Sequence, residues 1–329
     1  MSNHQLKPES SANRYPFCIA VLGPTCSGKS PVALQLAEDL KGEILSCDSM
    51  QIYQGMDIGT ATPSKPDLAR IPHHLINDLD IHERYDAYRF VEHARNILTN
   101  LADRKPGTPV ILVGGTGLYA KALIYNFAMH PSDQAVYQQV MSDFASGEGE
   151  GTLRREILKN YPNTPKTILD NPRRLMRAVE IMRLGANPLR ERSKSKKQEL
   201  RPLPNFHQFV LLPPPDIFNH NMLMRTRQML ESGWIEETRE LLSQDLLNTP
   251  TARQALGYSE IVMYLRGEIK DRRELERRIA SKTRKYARRQ RTWFRRQHPG
   301  SYLLPLRPTC TTGRVAAALK AQVQPYLSQ

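Results

Sequence analysis

Short apolar runs alternate, in the first third of the chain, with segments whose apolar residues recur at helical spacing. The runs at 17–22, 43–47 and 109–113 have the length of buried parallel strands, and glycine follows the first and the third. Between them, the apolar positions of 32–40 and 90–101 each predict a helix. This order of strands and helices predicts an α/β protein with an open parallel sheet.

The pattern changes near Asn126. Residues 127–204 are charged and helical in pattern, with loop residues at 147–151 and 162–165. The run Phe206–Leu212 then predicts a strand that returns to the sheet. We therefore expect a smaller all-helical insertion domain at 127–204 and a catalytic core built from 1–126 and 205–329.

A phosphate-binding motif follows the first predicted strand and precedes a predicted helix. Its residues match G-x-x-x-x-G-K-[ST] and are Gly23, Pro24, Thr25, Cys26, Ser27, Gly28, Lys29 and Ser30. Glycines let backbone N–H groups surround a phosphate, Lys29 can reach the terminal phosphates, and the Ser30 hydroxyl can hold Mg²⁺. This P-loop is an ATP- and nucleotide-binding signature that by itself selects no reaction, and the chain has no N-K-x-D segment typical of GTPases. A purely structural glycine turn is the alternative.

Two polar residues follow later strands of the predicted sheet. Asp48 comes directly after the second strand, and Thr116 follows Gly114-Gly115 after the third. Ligands of open parallel sheets bind beyond the carboxyl ends of the strands, so both residues are expected at the edge of the same crevice. Asp48 is a candidate general base or metal-shell group, with a helix cap or turn residue as the alternative. Thr116 is equally consistent with a turn hydroxyl and a ligand contact.

Composition adds a charge signal. The chain has 329 residues, 40% of them hydrophobic, with 47 Lys and Arg against 33 Asp and Glu, a net charge of +14. That balance favours a polyanionic partner such as nucleic acid or a phosphorylated substrate. The four cysteines lack zinc spacing, no apolar run approaches a membrane span, and the polar start lacks a signal-peptide pattern. We expect a cytoplasmic protein without a structural metal.

Basic residues concentrate in the second half. Residues 266–296 carry 14 Lys and Arg against 4 acids, and apolar residues at near-helical spacing predict one long helix with a cationic face. In the insertion, Arg173 and Arg177 fall on one helical face. A basic run at 190–197 ends that domain. Solvated surface charge is the alternative for each group.

Three blocks, in this order and spacing, resemble the tRNA dimethylallyltransferases, also called tRNA isopentenyltransferases or IPP transferases. They are GPTCSGKS at 23–30, DSMQIYQGMDIGTATP at 48–63 and GGTGLYAKAL at 114–123. Shorter matches lie at 73–76, 173–180, 257–258 and 289–295, so the resemblance covers about 17–305. The block at 48–63 is far more specific than the P-loop.

The resemblance implies a P-loop NTPase-like core and a transfer reaction. Members move a dimethylallyl group from dimethylallyl diphosphate to N6 of the adenosine 3′ of the anticodon, position 37, in tRNAs that read codons starting with U, and release diphosphate. The implied catalytic residues are Asp48, which would accept a proton or a hydrogen bond from adenine N6, Thr116, which would hydrogen-bond the oxygen that joins the isoprenoid to the diphosphate, and Lys29, at the leaving diphosphate. The implied diphosphate site is residues 23–30 with Arg253 or Gln254, and Ser30 would place Mg²⁺.

The resemblance also implies a surface that binds the anticodon stem-loop of tRNA, with the target base flipped out of the loop. Its residues would be Asp48, Ser49, Met50, Gln51, Thr116, Tyr137, Arg173, Arg174, Leu175, Met176, Arg177, Gly257, Tyr258, Lys282, Arg288, Arg289, Gln290 and Arg291. The chain departs from the family pattern at Asn77, typically Asp, and at Tyr137, often Arg. A monomer is expected. The alternatives are a P-loop kinase of a small metabolite and a non-catalytic RNA-binding protein.

Overall fold

The computed structural model describes residues 15–127, 129–189, 201–307 and 309–327. Six parallel strands form one sheet in the order β3-β2-β4-β1-β5-β6. Their bounds are β1 Cys18–Leu22, β2 Glu43–Ser46, β3 His73–His74, β4 Val110–Gly114, β5 Phe206–Leu212 and β6 Tyr302–Pro305. The parallel sheet flanked by helices confirms the predicted α/β class.

Helices connect the strands and form the insertion. In chain order they are α1 Lys29–Leu40, α2 Asp57–Thr60, α3 Lys65–Arg70, α4 Ala87–Arg104, α5 Gly117–Ile124, α6 Gln134–Ala145, α7 Gly149–Asn160, α8 Lys166–Leu169, α9 Pro172–Arg183, α10 Pro215–Glu231, α11 Trp234–Ser243, α12 Tyr258–Leu265, α13 Arg272–Gln297 and α14 Thr312–Leu327. Short 3₁₀ turns occupy Leu246–Asn248 and Ala252–Gln254. None of the helices within the described ranges is long and apolar enough to cross a membrane.

The register of the sheet positions the loops that carry the candidate chemistry. Strand β1 is buried along its length and pairs with β4 on one side and β5 on the other. Leu22, the last residue of β1, lies opposite Gly114, the last residue of β4. The loops that follow these two strands therefore leave the same edge of the sheet side by side.

The predicted elements of the core agree with the structure, and two strands were missed. The strands predicted at 17–22, 43–47, 109–113 and 206–212 appear as β1, β2, β4 and β5. The helix predicted within 266–296 is observed as α13, which begins at Arg272 after the cap Asp271. The missed strands are the two sheet edges: β3 is only two residues long, and Tyr302 and Leu303 of β6 are exposed.

The chain separates into two compact units. Within the described residues, one runs from Phe127 to Arg201, and the other joins the segment ending at Asn126 to the segment beginning at Pro202. The first unit has its own apolar core, which includes Val140, Leu153 and Leu175. The polar start up to residue 14 and the basic run at 190–197 lie outside the described residues.

Candidate active site and nucleic-acid surfaces

The loop between β1 and α1 has the conformation that a phosphate cradle needs. Gly28 adopts φ of 80° and Cys26 adopts φ of 61°, so the chain turns sharply before α1 begins. At Gly23, an added Cβ would lie 2.8 Å from both the Leu211 carbonyl oxygen and the Ser27 hydroxyl, so only glycine fits. The N-terminus of α1 opens onto this loop, and helix N-termini favour anions.

Lys29 is the first residue of α1, and its ammonium group lies beside the phosphate loop. Its Nζ donates to the Pro24 carbonyl oxygen at 3.3 Å. Burial and the neighbouring Arg225 guanidinium lower the pKa of Lys29 to about 8, and the Asp48 carboxylate opposes that shift. The lysine, the arginine and the aspartate therefore share one electrostatic environment, in which an arriving diphosphate would stabilise the ammonium form.

Arg225 is a candidate diphosphate ligand that the sequence reasoning missed. It lies on α10, and its Nη1 donates to the Thr25 hydroxyl at 3.3 Å and to Cys26 Sγ at 3.8 Å. The sequence offered one signal for Arg225: it lies beside the buried face of α10, on which Phe218, Met222 and Thr226 recur every four residues. An arginine there keeps its guanidinium next to packed side chains, which suits an anion ligand.

Arg253 and Gln254, predicted at the diphosphate, lie on the turn that precedes Gly257. Both are exposed on a 3₁₀ turn, and Gln254 Nε2 donates to the Pro250 carbonyl oxygen at 3.1 Å. Among the described residues, no hydrogen bond or ion pair links either side chain to the phosphate loop. The structure thus shows hydrogen bonds from Arg225 to the loop, and the assignment of Arg253 or Gln254 to the diphosphate stays a prediction.

Asp48 and Thr116 are brought together, although they are 68 positions apart in the sequence. The Ser49 N–H donates to the Thr116 hydroxyl at 3.1 Å, and the Thr116 N–H donates to the Cys47 carbonyl oxygen at 3.3 Å. Asp48 Oδ1 accepts from the Met50 N–H at 3.0 Å, which fixes the carboxylate at the start of its loop. A carboxylate, a hydroxyl and the Lys29 ammonium thus surround one crevice edge, as a proton-accepting group-transfer site requires.

The loop after β2 is internally braced. Gln51 Oε1 accepts from the Ser46 hydroxyl at 3.0 Å, while its Nε2 donates to the Ala61 carbonyl oxygen at 3.0 Å. Asn77, at φ of 54°, donates from Nδ2 to Asp57 Oδ1 at 2.8 Å and from its N–H to the Gln51 carbonyl oxygen at 2.9 Å. Asparagine tolerates this left-handed backbone and offers a donor to the carboxylate, so the departure at this position stabilises the loop.

A half-buried carboxylate, Glu237, links α2 to α11 and α12. Glu237 accepts from the N–H groups of Ile58 at 2.6 Å and Gly59 at 2.9 Å, and from the Tyr258 hydroxyl at 2.8 Å. Burial raises the pKa of Glu237, against the effect of these donors. Trp234 packs edge-on against Tyr258 with ring centroids 5.7 Å apart. The cluster holds the segment that follows the Asp48 loop.

This cluster corrects part of the predicted tRNA surface. Tyr258 is 1% exposed, and its hydroxyl is committed to Glu237. Gly257 is buried at φ of 92°, and an added Cβ would lie 2.1 Å from the Trp234 ring. The Tyr258 ring and the Gly257 backbone are both buried, so a direct tRNA contact by the Tyr258 ring is not available in this structure.

Replacing Gly59 by alanine tests the packing of the cluster. The added Cβ would lie 2.2 Å from Trp234 Nε1 and 2.4 Å from the Tyr258 hydroxyl. We expect a loss of about 1–3 kcal/mol in the free energy of unfolding, measured by urea denaturation, because an already filled space must expand. Gly313→Ala is the control, since nothing lies within 4 Å of its added Cβ. Equal stability of the two variants would contradict the packing argument.

The long helix α13 presents a basic face. Arg288 and Arg289 are exposed, and they line an open cavity of about 440 Å³ with Thr292, Trp293, Arg296 and Gln297. Lys282 pairs with the buried Glu260, and Arg291 donates to the Pro213 carbonyl oxygen at 2.9 Å. The structure therefore exposes Arg288 and Arg289, while Lys282, also exposed, and Arg291, half-buried, each have a polar partner within the protein.

In the helical unit, α9 carries the predicted arginines. Arg173 and Arg174 are exposed, whereas Leu175 is fully buried in the unit's core and cannot meet a ligand. Met176 is half-buried. Arg177 pairs with the buried Glu180 at 2.9 Å and donates to the His130 carbonyl oxygen at 2.6 Å. Tyr137 is half-buried on α6. The exposed pair thus supplies this unit's accessible charge on α9.

Comparisons with known proteins converge on one family. The family model described as IPP transferase matches residues 51–297. The tRNA dimethylallyltransferase of Myxococcus xanthus is 35% identical over 302 residues, which cover 90% of this chain and 95% of that protein. The crystal structure of the full-length tRNA isopentenylpyrophosphate transferase of Bacillus halodurans aligns with a TM-score of 0.67 and 30% identity over 94% of this chain and 96% of that one.

A eukaryotic dimethylallyltransferase acting on tRNA supports the fold. Its structure aligns with a TM-score of 0.74 and 23% identity, covering 94% of this chain and 79% of that one. The same arrangement of the P-loop core therefore recurs at low sequence identity.

Proposed function

The chain belongs to the IPP transferase family, and from this premise we propose that it is a tRNA dimethylallyltransferase. It transfers a dimethylallyl group from dimethylallyl diphosphate to N6 of adenosine 37 in tRNAs that read codons starting with U. The observation that carries the proposal is the meeting of Asp48 and Thr116 beside the phosphate loop. A tRNA substrate agrees with the net charge of +14. We expect a monomer that works in the cytoplasm, where tRNA is available.

The site residues act at two places, the attacking adenine N6 and the leaving diphosphate. The new bond joins adenine N6 to C1 of the dimethylallyl group, while the bond from C1 to the diphosphate oxygen breaks and its electron pair leaves with the diphosphate. Asp48 accepts the proton that N6 gives up. Lys29, Arg225 and the loop N–H groups stabilise the charge that builds on the diphosphate. Thr116 donates a hydrogen bond to the oxygen at which the bond breaks.

Mg²⁺ fits the donor set at the loop. Magnesium in such sites is held by few protein ligands together with substrate phosphates. Ser30, exposed at the start of α1, offers a hydroxyl there, and no group of three or more His, Cys, Asp or Glu side chains among the described residues forms a separate metal cage. Ser30 and the diphosphate oxygens would hold the ion, which would neutralise phosphate charge.

The tRNA surface is proposed from the exposed basic groups of each unit. On α13, Arg288 and Arg289 border the 440 Å³ cavity that also contains the Trp293 ring, a combination suited to a phosphate and an unstacked base. On α9, Arg173 and Arg174 are exposed. Asp48 to Gln51 would meet the flipped adenosine and its neighbours.

Thr116→Val separates the hydroxyl from the shape of its side chain. The valine cannot accept from the Ser49 N–H or donate to the leaving oxygen, so we expect kcat to fall about 10²-fold to 10³-fold. Thr116→Ser keeps the hydroxyl and should stay within tenfold of the wild type. Rates are measured in single turnover with saturating tRNA. A valine variant as fast as the serine variant would contradict the contact.

The P-loop allows a competing kinase function, and a release assay distinguishes it. Diphosphate release is followed with dimethylallyl diphosphate and tRNA together and with each alone. The proposed function predicts release only when both are present, and competition by inorganic pyrophosphate rather than by ATP. Phosphoryl transfer from ATP to a small metabolite, without release from the mixture, would favour the kinase. Multiple turnover on tRNA would exclude a non-catalytic RNA-binding protein.

A further inference from the structure

Gln290, on the inward face of α13, bridges the loops that follow β1 and β4. Its Oε1 accepts from the Thr25 N–H at 2.9 Å, and its Nε2 donates to the Gly115 carbonyl oxygen at 2.8 Å. The side chain is 7% exposed. Both ends of one buried amide are therefore used, one on the phosphate loop and the other on the residue before Thr116. This corrects the sequence-based prediction of Gln290 as a tRNA contact.

The bridge is close-fitting at its Gly115 end. A Cβ added to Gly115 would lie 2.5 Å from Gln290 Nε2, so only glycine lets the amide approach. At the other end, Thr25 makes two hydrogen bonds: its hydroxyl accepts from Arg225 at 3.3 Å, and its N–H donates to Gln290. Moving either end of the bridge breaks a hydrogen bond that is buried at Gly115 and partly buried at Thr25, and such bonds cost more to break than exposed ones.

The same face of α13 also holds the segment on the far side of Thr116. A Cβ added to Gly117 would lie 2.2 Å from Trp293 Cδ1, and the His298 ring nitrogen lies 3.1 Å from the Gly117 carbonyl oxygen. Thr116 is thus flanked by two glycines that each pack against residues of α13 or its C-terminal end. The helix and its C-terminal end therefore contact the Thr116 segment on both sides.

We propose that Gln290 is a positioning residue that sets the separation between the phosphate loop and the Thr116 segment. The inference rests on the proposed function, because that separation would align the diphosphate on the loop with the tRNA adenine beside Asp48. A neutral amide suits the role, since it offers one acceptor and one donor, whereas a carboxylate only accepts and a thioether does neither strongly. A shift of about 1 Å in such an alignment can cost about 10²-fold in rate.

Diphosphate binding itself should survive without Gln290. The Thr25 N–H points to Gln290 rather than toward a phosphate, so the cradle is built from the remaining N–H groups, Lys29 and Arg225. Removing the bridge relaxes the spacing of two loops without removing these phosphate donors. A loss of rate without an equal loss of binding is therefore the signature of a positioning role.

Gln290→Met and Gln290→Glu test the bridge in the full-length enzyme. Methionine removes both hydrogen bonds at similar volume, and glutamate keeps the acceptor for Thr25 but opposes the Gly115 carbonyl oxygen with a second acceptor. Gln35→Met is the matched control, because Gln35 Nε2 only donates to Asp39 of the same helix, at 2.9 Å. Three quantities are measured: the single-turnover rate at saturating substrates, the Kd of inorganic pyrophosphate and the Kd of tRNA.

We expect both Gln290 variants to lose about tenfold to 10²-fold in rate. In the neutral methionine variant both Kd values should stay within about threefold of the wild type, whereas the glutamate variant also places a negative charge beside the loop and should bind pyrophosphate more weakly. Wild-type rates in both would overturn the proposal, as would a loss of pyrophosphate binding in the methionine variant in step with its rate, which would indicate that Gln290 assembles the loop instead. If the methionine variant does not fold, the glutamate variant decides alone, and a rate within twofold of the wild type overturns the bridge. Absence of transfer by the wild-type enzyme contradicts the proposed function instead.

Discussion

Asp48→Asn should lower kcat about 10²-fold to 10⁴-fold, the range that a positioned general base contributes. Asparagine has nearly the shape of aspartate, and its side-chain oxygen can still accept from the Met50 N–H, now at 3.0 Å. The loop should therefore keep its conformation while the group that takes the N6 proton is lost. The measurement is the single-turnover transfer rate with saturating tRNA and dimethylallyl diphosphate.

Binding measurements separate this loss from misfolding. The Kd of tRNA for Asp48→Asn should stay near that of the wild type, and Asp103→Asn, an exposed aspartate at the end of α4, should leave the rate unchanged. A fully active Asp48→Asn enzyme would show that Asp48 does not accept the N6 proton.

Lys29→Met should reduce transfer by about 10²-fold to 10³-fold, because a preorganised cation at the leaving diphosphate acts in the transition state. It should also weaken dimethylallyl diphosphate binding, measured by calorimetry. Lys65→Met, at an exposed lysine of α3, is the matched control. An unchanged rate would show that Arg225 and the loop N–H groups suffice to stabilise the diphosphate.

The pH dependence of that binding gives Lys29 a signature of its own. The pKa of Lys29 is lowered to about 8 by burial and by Arg225. Below pH 8 the side chain is the ammonium form that attracts the diphosphate, and above pH 8 it becomes the neutral amine. The wild-type affinity should therefore fall as pH rises above 8, by at most about tenfold per pH unit for one proton. The Lys29→Met variant should lack this fall.

The core of the fold could be predicted because its signals are local. The strand before Gly23 and the helix after Ser30 show in the apolar pattern, and the P-loop motif fixes the turn between them. The edge strands could not be predicted, because β3 spans only His73–His74 and β6 is a four-residue apolar run that ends in proline, too short to tell from a loop. Edge strands bury too little surface to leave a clear signal.

The site was predictable only where a motif carries the chemistry. Asp48 and Thr116 directly follow predicted strands. Because the ends of parallel strands meet at one edge of the sheet, the sequence was enough to predict that both residues lie there. The contacts of Arg225 and Gln290 with Thr25 are long-range, since they join helices more than 190 positions away to one loop. Their partners depend on how α10 and α13 pack, and no local pattern encodes that. Leu175 and Tyr258 were misassigned for a related reason: a motif position does not reveal whether its side chain is buried.

The most direct test of the account is transfer to one defined nucleotide. The full-length enzyme is incubated with Mg²⁺, radiolabelled dimethylallyl diphosphate and a tRNA that reads a codon starting with U, followed by nucleoside digestion and chromatography. We expect label only in N6-dimethylallyladenosine, and none when guanosine replaces the adenosine at position 37. Label that persists in the guanosine tRNA, or none in either tRNA despite tight tRNA binding, would contradict it.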